Sequence, residues 1–205
     1  MSGDISKIVT EFAEWLVNDS PPRAAYRKIV AGRLNGLSKH PGVQPVGMGE
    51  TWQRKMSKCV IKVAVEEVKE DCGKDQLYGG VEEGIDVGIH AMSLLCARHS
   101  HEEGWGFLLV DTHNTFNEEN WTEMLWAVQF YWTSGAQFTF NCYCHWATLV
   151  VKNVDGSGHF FHSKEGATQG YPLAMISYGI GILPLICELC TAHPHVKQPW
   201  YVDDA

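Results

Sequence analysis

Apolar positions recur at helical spacing near the start of the chain. Ile5, Ile8, Val9, Phe12, Trp15 and Leu16 fall close to one face, which predicts an amphipathic helix over 4–17. Pro21-Pro22 ends that pattern. Residues 23–37 resume helical spacing, whereas 41–49 carry Pro and Gly too densely for a regular element. Helical spacing returns over about 51–68 and 81–99, around an expected loop at 71–80.

The pattern changes after Gly104. Strand and helix now alternate, where the earlier region reads as helix and loop, so a boundary is expected near 100–104. Phe107-Leu108-Leu109-Val110 is an apolar run with the length of a short buried strand, and it ends at Asp111. Asn117 is the expected cap of the next helix, with Glu118 and Glu119 in a first turn where they favour the dipole. Trp121, Met124, Leu125 and Val128 follow at helical spacing, and Ser134-x-x-Gln137 has the form of a capping box. Residues 148–151 and 159–162 are β-like and flank Asp155-Gly156-Ser157-Gly158, which predicts a hairpin. Pro172 suits the first turn of a helix that reaches about Cys190 and bends at Pro184. Trp200-Tyr201-Val202 is the last expected strand. The chain shows no internal repeat and no low-complexity segment.

Composition narrows the class. A length of 205 residues suffices for one sizeable domain or two lobes sharing a core. With 45% hydrophobic and 20% charged residues, disorder is not expected. No apolar run is read as reaching the ~18 residues of a membrane span. Met1-Ser2-Gly3-Asp4 lacks the basic and apolar regions of a signal peptide. The expectation is an intracellular, reducing compartment with no membrane partner. Seven cysteines, an odd number in no secreted-domain spacing, are expected to be free thiols. The net charge of −8 opposes simple attraction to phosphates, so a nucleic-acid role needs a local basic strip.

Three carboxylates carry the candidate chemistry. Asp111 ends one apolar run, and Asp203-Asp204 ends another. A carboxylate at a strand end has a rigid backbone behind it, and three of them can hold two divalent ions. Taken singly, each is more simply a turn aspartate. Cys187-x-x-Cys190-x-x-His193-x-His195 and the group Cys142, Cys144, His145 contain zinc-ligand types, but the spacing is compressed and chance proximity is the preferred reading.

Taken together, the motifs are far more specific. Phe107-Leu108-Leu109-Val110-Asp111-Thr112-His113-Asn114-Thr115-Phe116-Asn117 resembles the first palm motif of reverse transcriptases, especially those of non-LTR retrotransposons. Glu165-Gly166-Ala167-Thr168-Gln169-Gly170-Tyr171-Pro172-Leu173-Ala174-Met175 resembles the second, and Tyr201-Val202-Asp203-Asp204 the third. Ahead of them, Leu34 and Lys39 precede Gly42-Val43-Gln44-Pro45-Val46, which is similar to the Gly-x-Arg-Pro-Ile segment of the fingers; Arg54 and Lys58 follow. The likeness covers about 23–205 and stops before the primer-grip and thumb regions.

The resemblance implies an α+β fold: a right-hand polymerase palm, with an antiparallel sheet and packed helices, plus fingers, with the thumb absent. It divides the chain into an N-terminal helix at 1–22, a fingers-like region at 23–104, and a palm at 105–205 with a fingers hairpin inserted at about 135–163. It implies an RNA-directed DNA polymerase of retroelement origin, transferring nucleotides to a primer 3′-hydroxyl with two Mg²⁺ ions, or Mn²⁺ in their place. The partners would be an RNA or DNA template with its primer, and dNTP. Asp111, Asp203 and Asp204 would be catalytic and would ligate metal. Lys39, Arg54, Phe116, Gln169 and Gly170 would bind nucleotide, with Phe116 as the gate that rejects a 2′-hydroxyl. Gln44 stands where the family has an arginine, Tyr171 replaces a small polar or acidic residue, and Thr115 replaces a small one. Each is expected to lower activity, and the bulk of Tyr171 to crowd the cleft. The alternative is an inactive remnant acting as a nucleic-acid-binding or interaction module.

Overall fold

The computed structural model describes residues 2–72, 76, 83–112, 115–168 and 170–202. Helix α1 spans Ser2–Asn18, and Pro21-Pro22 separates it from α2, Arg23–Ile29. The chain then turns into two strands, β1 (Gly32–Ser38) and β2 (Val43–Gly49), paired antiparallel from Gly32↔Gly49 to Ser38↔Val43. The expected helix over 23–37 is therefore cut short, and the expected irregular stretch at 41–49 is a strand. Gly32, Asn35 and Gly36 weaken any helix there by up to about 1 kcal/mol per glycine. Pro45 is tolerated because β2 is an edge of the sheet, where a missing N–H costs no ladder bond.

Helix α3 (Thr51–Cys72) and helix α4 (Gly84–His99) follow. The run 107–110, expected as a buried strand, is neither: it has no regular structure, and Leu108 and Leu109 are 81% and 84% exposed. A short helix α5 (Thr115–Glu118) then leads to α6 (Trp121–Tyr131) and α7 (Thr133–Tyr143). The cap of α6 is Asn120, not Asn117; its side chain accepts from the amides of Thr122 at 2.8 Å and Glu123 at 3.3 Å. Ser134 does not cap α7. Its amide and hydroxyl bond the Glu67 carboxylate on α3 instead.

The predicted hairpin forms as β3 (Ala147–Lys152) and β4 (Gly158–Ser163). Asp155 closes its turn by accepting from the Ser157 amide at 2.9 Å and hydroxyl at 2.6 Å. The sheet order is β2-β1-β3-β4, with β1 and β3 parallel at Gly32↔Leu149 and Arg33↔Val150. One sheet thus joins two stretches more than a hundred positions apart. The chain then enters α8 (Pro172–Gly181) and α9 (Leu183–Ala192), broken at Ile182 just before Pro184. At the final expected strand, Trp200 makes a single parallel bridge to Gln76.

The main core is helical. Leu16, Tyr26, Met56, Val68, Met124, Val128, Trp132, Phe138, Ile176, Ile180 and Ile186 bring α1, α2, α3, α6, α7, α8 and α9 together. Each fully buried apolar side chain of this size contributes roughly 1.5–3 kcal/mol. The stretch Pro172–Ala192 corrects the reading that no run is long enough to span a bilayer: by length and composition it is, and half of it is buried inside the protein. All seven cysteines are free thiols.

Candidate functional site

The segment 165–170 is fixed by glycines where a side chain has no room. Gly166 has φ +78° and donates its amide to the Glu119 carbonyl at 2.8 Å, while its own carbonyl accepts from the Trp121 indole at 2.8 Å. A Cβ on Gly166 would run into the Phe116 carbonyl and the Asn117 backbone. Gly170 has φ +99°, and a Cβ there would meet the Gly47 carbonyl on β2, with Val46 at 3.2 Å. These close approaches wedge the second motif between the first motif and the sheet.

Tyr171 takes a different place from the one expected. Its side chain is buried and fills the space left open by Gly32 and Gly49, and its hydroxyl donates to the Val30 carbonyl at 3.4 Å. The ring supports the junction from behind instead of crowding a cleft, and burial raises the pKa of its phenol. Phe116 is also buried, at 8% exposure, with its ring 4.9 Å from that of Tyr178.

A second, smaller core cluster unites the motifs. It contains Phe116 from the first, Ala167, Tyr171 and Ala174 from the second, and Val202 from the third, together with Tyr178. Val202 is held there by Gln76, which sequence reasoning missed. The Val202 amide donates to the Gln76 side-chain oxygen at 2.8 Å, and its carbonyl accepts from the Gln76 side-chain nitrogen at 3.2 Å. Val202 has φ +61°, a conformation that costs a β-branched residue about 1–3 kcal/mol and needs such a clamp. Gln76 sits in an expected loop, where a polar residue gives no sign that it will be buried.

The carboxylates divide. Asp111 is exposed. Asp203 and Asp204, and Gln169 of the nucleotide set, lie outside the described residues. The chemistry of the donor set, three hard carboxylates, fits Mg²⁺ or Mn²⁺. Among the described residues, no group of three or more His, Cys, Asp or Glu is placed to hold a metal. The cysteines near His145 have other partners: burial pushes the Cys142 thiol up to about 12, and Cys144 accepts from the Arg23 guanidinium at 3.0 Å.

Glu119, expected in the first turn of a helix, instead follows α5 and turns its carboxylate inward. Neither carboxylate oxygen has a hydrogen-bond partner among the described residues, and Oε1 occupies the space beside Gly181 on α8. Burial pushes its pKa from the ordinary 4.5 to about 8. The other candidates are more peripheral. Lys39 follows the tip of β1, where its amide bonds the Gly42 carbonyl at 3.1 Å. Gly170 touches the hairpin at Gly47, opposite Leu34, so Lys39 stands roughly 15 Å further along the strands. Arg54 lies exposed in the first turns of α3. Gln44 lies in β2 opposite Leu37, and Thr115 donates its hydroxyl to the Thr112 carbonyl at 2.6 Å.

No family model and no curated protein matches the chain. Solved structures do. A telomerase from Candida albicans, in complex with the TWJ fragment of telomeric RNA, superimposes with a TM-score of 0.59 at 12% identity, over 98% of this chain and 41% of that one. An apo telomerase from Candida tropicalis, truncated from the C-terminal domain, gives 0.57 at 12% identity, over 80% of this chain and 40% of that one. The chain thus spans about two fifths of the length of the structures it matches. It has a reverse-transcriptase-like fold, mixed α+β with a four-stranded sheet and packed helices.

Proposed function

We propose that the chain is the fingers and palm part of an RNA-directed DNA polymerase, adding dNTPs to a primer 3′-hydroxyl on an RNA or DNA template. The observation that carries this is the single cluster of Phe116, Ala167, Tyr171, Ala174 and Val202, in which all three motifs meet. The Candida albicans telomerase, solved with RNA, supports a nucleic-acid partner. Assignment to the non-LTR retrotransposon type rests on the motif strings alone.

In this reading Asp111, Asp203 and Asp204 would hold two Mg²⁺ ions, or Mn²⁺. When bound, such ions lower the pKa of the attacking hydroxyl and neutralise charge on the triphosphate and its leaving group. The chain's own residues do the positioning. Gln76 fixes the backbone immediately before Asp203 through Val202. Gly166 fixes the second motif against the segment that follows Asp111. Phe116, backed by Tyr178, would lie under the sugar and reject a 2′-hydroxyl. Gly170 would let backbone approach the nucleotide, with Gln169 beside it. Lys39 and Arg54 would meet phosphate charge.

Primer extension on a primed RNA template, with dNTP and Mg²⁺, tests the reading. Asp203→Asn and Asp111→Asn should each lower the rate by at least about 100-fold. Extension that survives Asp203→Asn would overturn the metal role. Binding of template without extension would favour an inactive binding module. Phe116→Ala should raise incorporation of rNTP relative to dNTP.

A further inference from the structure

A second concavity, of about 1020 Å³, opens where the end of α1, α2, α6, α7 and the approach to the second motif meet. Asp111, Phe116 and Gly170 do not line it. Its walls are aromatic. Trp126 on α6 lines the cleft and is 58% exposed; behind it, outside the lining, its ring stacks on Phe130 with centroids 5.7 Å apart. Phe140 on α7 lines the cleft and is 51% exposed. Two cationic side chains and a histidine line it as well. Arg23, His145 and Lys164 line it, against one carboxylate, Glu165, among the described residues. Lys164 places its ammonium 4.4 Å over the half-exposed Trp146 ring.

This local sign reverses that of the chain, whose net charge is −8. The exposed Trp126 and Phe140 rings offer stacking faces to bases, and Arg23 and Lys164 in the same cleft offer partners to phosphates. An acidic peptide would satisfy the cations but has no flat groups to lay on Trp126 and Phe140. We propose that this cleft binds single-stranded nucleic acid, as a site separate from the one around Phe116. The proposal does not depend on polymerase activity.

The test uses the whole chain and fluorescein-labelled oligo(U) and oligo(dT) of about 12 nucleotides, within the site sizes of such grooves. A duplex of the same length and an oligo-glutamate peptide serve as competitors. Trp126→Ala and Phe140→Ala should each weaken single-strand binding roughly tenfold, the effect of losing one stacked base. Trp126→Phe keeps a stacking face and should stay within about threefold, which separates stacking from misfolding. Lys164→Gln should flatten the slope of log affinity against log salt by about 0.7, one phosphate contact to a single strand. Equal binding of oligo(U) and oligo(dT) would show that the 2′-hydroxyl is not read, and a preference for oligo(U) would assign the cleft to RNA. Either supports the proposal. Affinity indifferent to Trp126→Ala, Phe140→Ala and Lys164→Gln overturns it, as does absence of binding up to about 100 µM at low salt. Displacement by oligo-glutamate at equal affinity would overturn it in favour of a protein partner.

Discussion

The first and second palm-like motifs lie a few residues from one another in space, yet the structure treats them in opposite ways. The second is clamped. Gly166 is bonded through both its amide and its carbonyl, Gly170 lies against β2, and Tyr171 fills a gap in the sheet. The run that opens the first, 105–110, has no regular structure up to a bridge at Asp111, with Trp105, Phe107, Leu108 and Leu109 all open to solvent. Only at Phe116 does the first motif enter the cluster that the second one builds. Motif identity therefore does not imply equal order. The clamped segment is held on two sides, by 116–121 and by the β1–β2 strands, whereas an apolar run becomes a strand only where a partner edge lies beside it.

Breaking the clamped side should have the largest effect. Gly166→Ala adds a Cβ at φ +78° against the Phe116 carbonyl and the Asn117 backbone. Left-handed strain and overpacking together should cost roughly 2–5 kcal/mol. Urea unfolding of the variant measures it. A loss under about 1 kcal/mol would mean that the two motifs are not locked together in solution.

A subtler break uses the buried carboxyl between them. Glu119 has its pKa raised to about 8 by burial, from an ordinary 4.5. Below pH 4.5 the unfolded and folded chains both keep the proton, and stability is fully present. As the pH rises, the unfolded chain ionises first, so stability falls until the folded carboxyl ionises near pH 8. Glu119→Gln removes that dependence. It should match the parent near pH 4 and exceed it by roughly 2–4 kcal/mol above pH 8. Parallel curves for parent and variant would show that Glu119 is solvated or paired.

Much of this was legible in the sequence because it depends on local patterns. The hairpin β3–β4 follows from Asp155-Gly156 between β-like runs, and α8 from Pro172 and the apolar spacing after it. The order of the three motifs pointed to the reverse-transcriptase-like fold. What failed was non-local. Residues 32–38 read as helix because their strand character comes from pairing with β2 and with β3, more than a hundred positions away. Gln76 reads as an ordinary loop residue because its burial is decided by Val202. Tyr171 reads as an intrusion into a cleft until Gly32 and Gly49 are seen to leave room for it. Of the site residues, Phe116 and Gly170 are drawn into one junction, Lys39 and Arg54 stand away from it, and Asp111 is open to solvent.

The exposed side of the comparison makes the smallest and sharpest prediction. Leu108 and Leu109 are more than four fifths exposed, so replacing both with Ser removes almost no buried apolar area. Substitutions at such positions change stability by no more than about 0.5 kcal/mol. The Leu108→Ser, Leu109→Ser variant should therefore unfold at the same urea concentration as the parent. The amides of 107–110, with no ladder partner among the described residues, should exchange with solvent far faster than those of α8, whose helix lies in the core. The two measurements constrain each other. A loss above about 2 kcal/mol, together with slow exchange, would mean that the run is packed in solution as a palm strand. Asp111 would then be held as rigidly as the backbone before Asp203, and the contrast between the two motifs would disappear. An unchanged midpoint with fast exchange would leave 107–110 loose ahead of the bridge at Asp111, so that ordering of this run must accompany the binding of template, nucleotide or metal.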